Sequence, residues 1–189
     1  MNKPKTNRQL LWLVGIILAL VLIAYVVVSK REKEEKNLQE VAQTEQQAAT
    51  RPLLEPFTIP DSNGTPTEVM PLIASNRITI IDFWASWCAP CMREMPNLVA
   101  IYDNYHGQGL GIIGISLDSN ADDWQQAVQQ QHMTWPQFSE LKGWESTVVC
   151  TFDVNAIPHT IVVNSQGEIL ATGLRGEELA NVVAKELNS

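Results

Sequence analysis

Cys88 and Cys91, three residues apart, are the side chains of this 189-residue sequence best suited to covalent chemistry. They lie in Trp87-Cys88-Ala89-Pro90-Cys91, between the apolar run Ile78–Phe83 and a helix-patterned stretch from about Ala89 to Tyr105. Cysteines at i and i+3 in the first turn of a helix share a face and are close enough to bond. Cys88 falls near the N-cap, where free N–H groups and the helix dipole stabilise a thiolate. That lowers its pKa and makes it the attacking sulfur. Cys88 is therefore expected to be the more exposed of the two, with Cys91 a turn deeper. Pro90 is tolerated at a first helical position and stiffens the loop. A single CxxC also resembles half a zinc site or a structural pair. There is no second CxxC, and His106, His132 and His159 are scattered, which favours redox chemistry.

Two carboxylates stand beside the pair. Asp82 lies inside an apolar strand, and burial raises a carboxyl pKa toward neutrality. A carboxylate poised near pH 7 takes the proton from Cys91 when that sulfur attacks. Glu94, one helical turn beyond Cys91, has the same capacity, with a solvated helix-face residue as the alternative. Cys150, in Val148-Val149-Cys150-Thr151-Phe152, reads as a buried small hydrophobe, with a resolving or regulatory thiol as the alternative. Trp84 and Trp87 are expected to flank the site, and Trp124, Trp135 and Trp144 to pack the core. Gly173-Leu174-Arg175-Gly176 reads as a turn into the last helix rather than a functional loop.

The elements that position these residues alternate. A short strand at Phe57–Ile59 precedes the turn Asp61-Ser62-Asn63-Gly64. Ile78–Phe83 and Leu110–Leu117 are continuous apolar runs of the kind buried within a sheet. Pro96 removes a backbone donor from the helix that follows the cysteines. Asp118-Ser119-Asn120 caps a helix through about Gln131, and a short helix near Ser146–Phe152 precedes Ile157-Pro158. Thr160–Asn164 and Glu168–Thr172 form a hairpin, and Glu177–Leu187 is the final amphipathic helix. The expected fold class is α/β, with a mixed rather than all-parallel sheet.

Composition sets the remaining bounds. The length suits one domain of about 100–150 residues plus something extra. Leu10–Val28 is an unbroken run of 19 uncharged, almost wholly apolar residues, and a bilayer crossing needs about 20. The run lacks a small-x-small cleavage site at its end, so a retained anchor is favoured over a cleaved signal. Residues 30–51 are polar and rich in Glu, Gln, Lys and Ala, and read as a spacer that is helical in part. Residues 1–50 hold seven basic against five acidic residues, +2, and the remainder six against sixteen, −10, giving the net −8. An acidic domain without basic clusters is a poor nucleic-acid binder. Lys and Arg counts flanking the run give no orientation.

Asp82-Phe83-Trp84-Ala85-Ser86-Trp87-Cys88-Ala89-Pro90-Cys91 resembles the active-site signature of thioredoxins, and Ala156-Ile157-Pro158-His159-Thr160 resembles that family's cis-proline loop. The resemblance covers about residues 53–189. It implies a thioredoxin fold, a mixed central sheet flanked by helices, and thiol–disulfide exchange without an organic cofactor. It implies a redox-active Cys88–Cys91 disulfide, with Cys88 as nucleophile and Cys91 as resolving thiol. It also implies a cis Ile157-Pro158 bond facing the cysteines and, with Trp87, contacting substrate.

Cys91-Met92-Arg93-Glu94-Met95-Pro96 resembles the CxxCxxExP pattern of the membrane-anchored TlpA/ResA group and related AhpC/TSA-like domains. Cys91 to Pro158 is longer than in small thioredoxins, which implies a central insertion within residues 110–150. The resemblance implies a cytoplasmic segment 1–9, a transmembrane signal anchor 10–28, a polar spacer 29–52, and a domain 53–189 in the periplasm or extracytoplasmic space, held to the inner (cytoplasmic) membrane. Implied partners are protein disulfide or thiol clients and a membrane thiol donor of DsbD/CcdA type. The group commonly carries Asn where this chain has Asp82, so a proton role is shared between Asp82 and Glu94. A copper site of the two cysteines with His159 is a weaker reading, and no metal is assigned. One rival is a thiol peroxidase, which needs Pro-x-x-x-Thr-x-x-Cys. Ile81 and Ala85 occupy those positions before Cys88. The other is a non-catalytic metal-binding or client-holding module.

Overall fold

A computed structural model describes residues 8–48 and 51–188, and within the N-terminal helix the side chains of residues 12–13, 15–18, 20, 22–23 and 25–39. The chain divides into two units, residues 1–50 and 51–189. The first is one helix, α1 (Arg8–Ala48), 41 residues long. It takes in both the apolar run and most of the polar stretch that follows, so the spacer is helical nearly throughout. Leu, Glu, Gln, Lys and Ala all keep their rotamer freedom in a helix or lose little of it, and Pro is absent from the stretch. Among the described residues no helix is long and apolar enough to cross a membrane. The transmembrane expectation therefore stays with the sequence run, several of whose side chains lie outside the described residues, as does most of segment 1–9.

The second unit starts with a small antiparallel hairpin, β1 (Thr58–Pro60) and β2 (Pro66–Glu68). Asp61 closes its turn, accepting from the N–H groups of Asn63 and Thr65. A short helix, α2 (Met70–Ala74), follows. Five residues are too few to show a helical period in sequence, and α2 was not expected.

The main sheet has the order β5-β4-β3-β6-β7. Its centre is β3 (Ile78–Trp84), buried at every position, as is its neighbour β4 (Leu110–Ser116). β-Branched residues buried on both faces, without polar alternation, mark a strand covered by helices on either side. β3 and β4 are parallel, as are β4 and the two-residue β5 (Gln137–Phe138). β6 (His159–Asn164) and β7 (Ile169–Thr172) run antiparallel on the other side, so the sheet is mixed. Between the strands run α3 (Ala89–Tyr105), α4 (Ala121–Gln130) and the short α5 (Thr147–Thr151), and the terminal α6 (Gly176–Leu187) follows β7. Asn120 caps α4 by accepting from the N–H groups of Asp122 and Asp123. α4, β5 and α5 occupy the segment between β4 and β6.

Two expectations about the core are corrected. Trp84 is wholly buried rather than flanking the site, and its Nε1 donates to Gln137 Oε1 at 3.1 Å. That contact exists because Gly114 leaves room: a Cβ there would collide with the Gln137 side chain. Trp124 and Trp135 are buried as expected, but Trp144 is 45% exposed, in a loop that leaves the sheet after β5.

Candidate active site

The strand β3 delivers the loop Ala85–Trp87, and α3 begins immediately after it. Cys88 is the N-cap of α3, with extended backbone angles, and its sulfur accepts from the Cys91 N–H at 3.2 Å. The two sulfurs are bonded, with Cα atoms 5.2 Å apart. A sulfur at the N-cap meets the unpaired amides and the positive end of a 17-residue helix. Once the disulfide is reduced, that position favours thiolate over thiol.

Cys88 is the more exposed of the two cysteines, as expected, but only slightly. In the disulfide it is 4% exposed and Cys91 1%, so attack on or by Cys88 comes through a narrow opening. The Ile157 carbonyl oxygen lies 3.7 Å from the Cys88 sulfur, and the Ile157-Pro158 bond is cis. Of the expected substrate-contacting residues, Ile157 and Pro158 thus sit against the disulfide, and Trp87 is 56% exposed beside it.

Asp82 is 2% exposed, opposite Thr160 of β6. Burial is the largest reason its carboxyl is pushed up to about 7; the nearby negative charge of Glu94 adds to this and the Arg175 guanidinium opposes it. Glu94 is half-buried, and its Oε1 accepts from Asn97 Nδ2 at 2.9 Å and from the Gly176 N–H at 2.7 Å. It therefore ties α3 to the start of α6 and is not a free solvated carboxylate. Gly176 makes that contact at φ +54°, a conformation glycine adopts without strain.

Arg175, read from sequence as part of a turn, is a structural member of the site. Its Nη2 donates to the Pro158 carbonyl at 2.6 Å, holding the cis-proline loop from behind. Burial, and then Arg175, lower the pKa of His159, so neutral imidazole is favoured there. Asp118 is a second residue that sequence reading assigned only to a cap. It is 1% exposed. Its carboxylate accepts the Ser86 N–H at 3.2 and 3.0 Å, the Ser86 hydroxyl at 2.6 Å and the Ser116 hydroxyl at 2.6 Å. An Asp at the end of an apolar strand was the available signal; its partner, 32 residues away, was not visible.

Cys150 is corrected: it is exposed and outside any disulfide, its thiol donating to the Trp144 carbonyl at 3.8 Å. In the five-residue α5 the buried positions are Val148 and Val149, which turns the next side chain outward. Among the described residues, no three His, Cys, Asp or Glu side chains gather into a group that could hold a metal ion.

Residues 76–169 match the family model described as "Thioredoxin-like". The chain carries a thioredoxin-like domain. Among curated proteins, the thiol-disulfide oxidoreductase ResA of Halalkalibacterium halodurans is 29% identical over 60% of this chain and 62% of its own length. The thiol:disulfide interchange protein HelX of Rhodobacter capsulatus is 28% identical over 61% of this chain and 62% of its own. The chain thus spans somewhat under two thirds of the length of these relatives. Among solved structures, the thioredoxin domain of a thiol-disulfide oxidoreductase from Bacteroides vulgatus superposes with a TM-score of 0.66 at 29% identity, covering 74% of this chain and 98% of that one. A disulfide at a helix N-cap, once reduced, leaves a stabilised thiolate beside a second thiol, the pair of groups that thiol–disulfide exchange requires.

Proposed function

We propose that this chain is a membrane-tethered thiol–disulfide oxidoreductase that reduces disulfides of protein clients outside the cytoplasm. The observation that carries the reading is the Cys88–Cys91 disulfide at the start of α3 with the Ile157 carbonyl 3.7 Å away. A client strand laid along Ile157 finds backbone hydrogen-bonding groups there and brings its own cystine against Cys88.

The reduced protein works in two displacements. The Cys88 thiolate attacks one sulfur of the client disulfide. A Cys88–client disulfide forms, and the second client sulfur leaves as a thiolate and is protonated. Cys91 then loses its proton and attacks Cys88. The Cys88–Cys91 bond forms, the remaining client sulfur departs, and two electrons have passed to the client. A thiol with pKa near 8.5 is only a few per cent ionised at pH 7, so the second displacement needs a base. Asp82, with its carboxyl at about 7, takes that proton. Glu94 acts through Asp82, because its charge is one reason the carboxyl is raised. Arg175 opposes the shift and fixes the loop that the client contacts.

The oxidised pair must then be reduced by another dithiol, and a membrane thiol donor of DsbD/CcdA type suits a tethered domain. The tether is the 19-residue apolar run Leu10–Val28; along it Trp12, Leu22 and Tyr25 are more than 60% exposed. The domain stands in the periplasm or extracytoplasmic space, the side implied by the resemblance of Cys91–Pro96 to the CxxCxxExP pattern of membrane-anchored domains. The missing threonine and proline before Cys88 disfavour the peroxidase alternative.

Reduction of insulin disulfides by the dithiol-reduced chain tests the exchange. Turnover by the wild type, lost in Cys88→Ser, is expected. No turnover by the wild type, or equal turnover by Cys88→Ser, contradicts it. Fractionation and protease accessibility in intact cells test tether and side: a soluble product or a cytoplasmic domain contradicts those two statements alone.

A further inference from the structure

Among the described residues of the second unit, four large hydrophobic side chains are exposed: Leu53, Trp87, Leu141 and Trp144. Two of these, Trp87 and Trp144, have ring centroids 6.5 Å apart at 53°, and Trp87 is the residue before Cys88. Two half-exposed indoles side by side keep a large apolar area in water, an arrangement that marks interaction surfaces. Trp is also the residue most enriched where binding energy concentrates.

The loop that supplies Trp144 is held firmly. The Glu140 carboxylate accepts from the Ser146 hydroxyl and the Val148 N–H, and pairs with Lys142 Nζ at 3.2 Å. Trp144 sits between these anchors in a 3-10 turn, Gly143–Glu145. Its exposure is therefore fixed by the fold rather than by a freely moving loop, and a pre-ordered side chain costs less entropy on binding. Trp144 also borders a hollow of about 360 Å³ shared with Val149, Cys150, Asp153, Val154 and Asn155, so the indole pair is flanked by a recess of mixed polarity.

The geometry points to Trp87 and Trp144 forming a docking platform beside Cys88 for an extended client segment that carries bulky apolar side chains next to its cysteine. The platform is continuous with the exchange site, because Trp87 is bonded to Cys88 through the backbone. It explains why a second indole, 57 residues away in sequence, is kept in water at that spot. The inference rests on the exchange reading above and adds the kind of client selected.

The test uses the full chain in detergent micelles, with Cys91→Ser to stop after the first displacement and Cys150→Ser to remove the exposed thiol. Two peptides each carry one cysteine as a mixed disulfide with 2-nitro-5-thiobenzoate, flanked by Trp on both sides in one and by Ser in the other. The Cys88 thiolate attacks the peptide sulfur, the Cys88–peptide bond forms, and coloured 2-nitro-5-thiobenzoate leaves with the electron pair. The ratio of second-order rate constants, Trp peptide over Ser peptide, cancels protein concentration, and each variant is first shown to be folded by its cooperative melt. A ratio of about 3–10 is expected from aromatic contacts. It should fall below about 2 in Trp144→Ala and stay near the starting value in Trp144→Phe, which keeps an aromatic face. A ratio near one before Trp144 is changed, or an undiminished ratio in Trp144→Ala, overturns the platform and leaves the exchange reading intact. Failure of both peptides to react overturns both.

Discussion

Two aspartates lie buried next to the active-site loop, and they do opposite things. Asp82 is 2% exposed and Asp118 1%. Asp118 is surrounded by donors: both oxygens take the Ser86 N–H, and the hydroxyls of Ser86 and Ser116 complete the set. Such a carboxylate is a fixed part of the scaffold, holding the loop that ends at Cys88. Asp82 stands in an apolar strand; burial, and then the negative charge of Glu94, push its carboxyl up to about 7. The comparison teaches that burial alone does not make a proton carrier. Whether donors are aimed at the buried group decides between scaffold and chemistry.

The largest expected effect separates them kinetically. Asp82→Asn should slow attack of Cys91 on the mixed disulfide by about 10²-fold or more at pH 7, the usual worth of a positioned base. The first attack by Cys88 should be spared. Rapid mixing with a fluorescence readout from Trp87 resolves the two steps; equal slowing of both would return Asp82 to the scaffold class.

The second effect is on stability. Asp118→Asn places an NH2 against the Ser86 N–H and hydroxyl, leaving donors facing donors. A loss of about 2–4 kcal/mol is expected, read by chemical denaturation. A loss under about 0.5 kcal/mol, the size of an ordinary surface change, would remove Asp118 from the scaffold.

The third effect has a sign that ordinary acidic residues lack. The folded Asp82 carboxyl holds its proton up to about 7 while the unfolded chain releases it near 3.8. Between those values the folded state binds more protons, so stability falls as pH rises from about 4 to about 7 and levels off above. The contribution is on the order of 1–4 kcal/mol. Asp82→Asn should remove this part of the slope and be the more stable protein at pH 8. Melting in matched buffers checks it.

The smallest effect concerns Glu94. Its charge raises the Asp82 carboxyl, so Glu94→Gln should move the pH midpoint of the second displacement downward, by less than about one unit. An upward move would mean that Glu94 takes the proton itself.

What was legible in sequence follows from what is local. The CxxC pair, the N-cap position of Cys88, the bounds of α3 and the buried Asp82 were all readable, because each depends on residues within a few positions. The proline loop was readable through resemblance. The ties that complete the site were not: Asp118 reaches Ser86 across 32 residues and Glu94 reaches Gly176 across 82. Arg175 was taken for a turn residue because nothing in Gly173-Leu174-Arg175-Gly176 announces the Pro158 carbonyl. Cys150 and Trp144 were misplaced as core because a five-residue helix and an irregular loop carry no period from which to assign faces. The two-residue β5 was missed for the same reason.

The measurement that bears most directly on the whole account is the pH dependence of the second displacement, followed in the wild type and in Asp82→Asn. The wild type should show a rate that rises with one ionisation near pH 7, the carboxyl of Asp82, on top of the thiol's own. Asp82→Asn should lose that step and keep only the rise that the ionisation of the Cys91 thiol itself imposes. An unchanged midpoint near pH 7 in Asp82→Asn would contradict the assignment of the proton to this buried carboxyl.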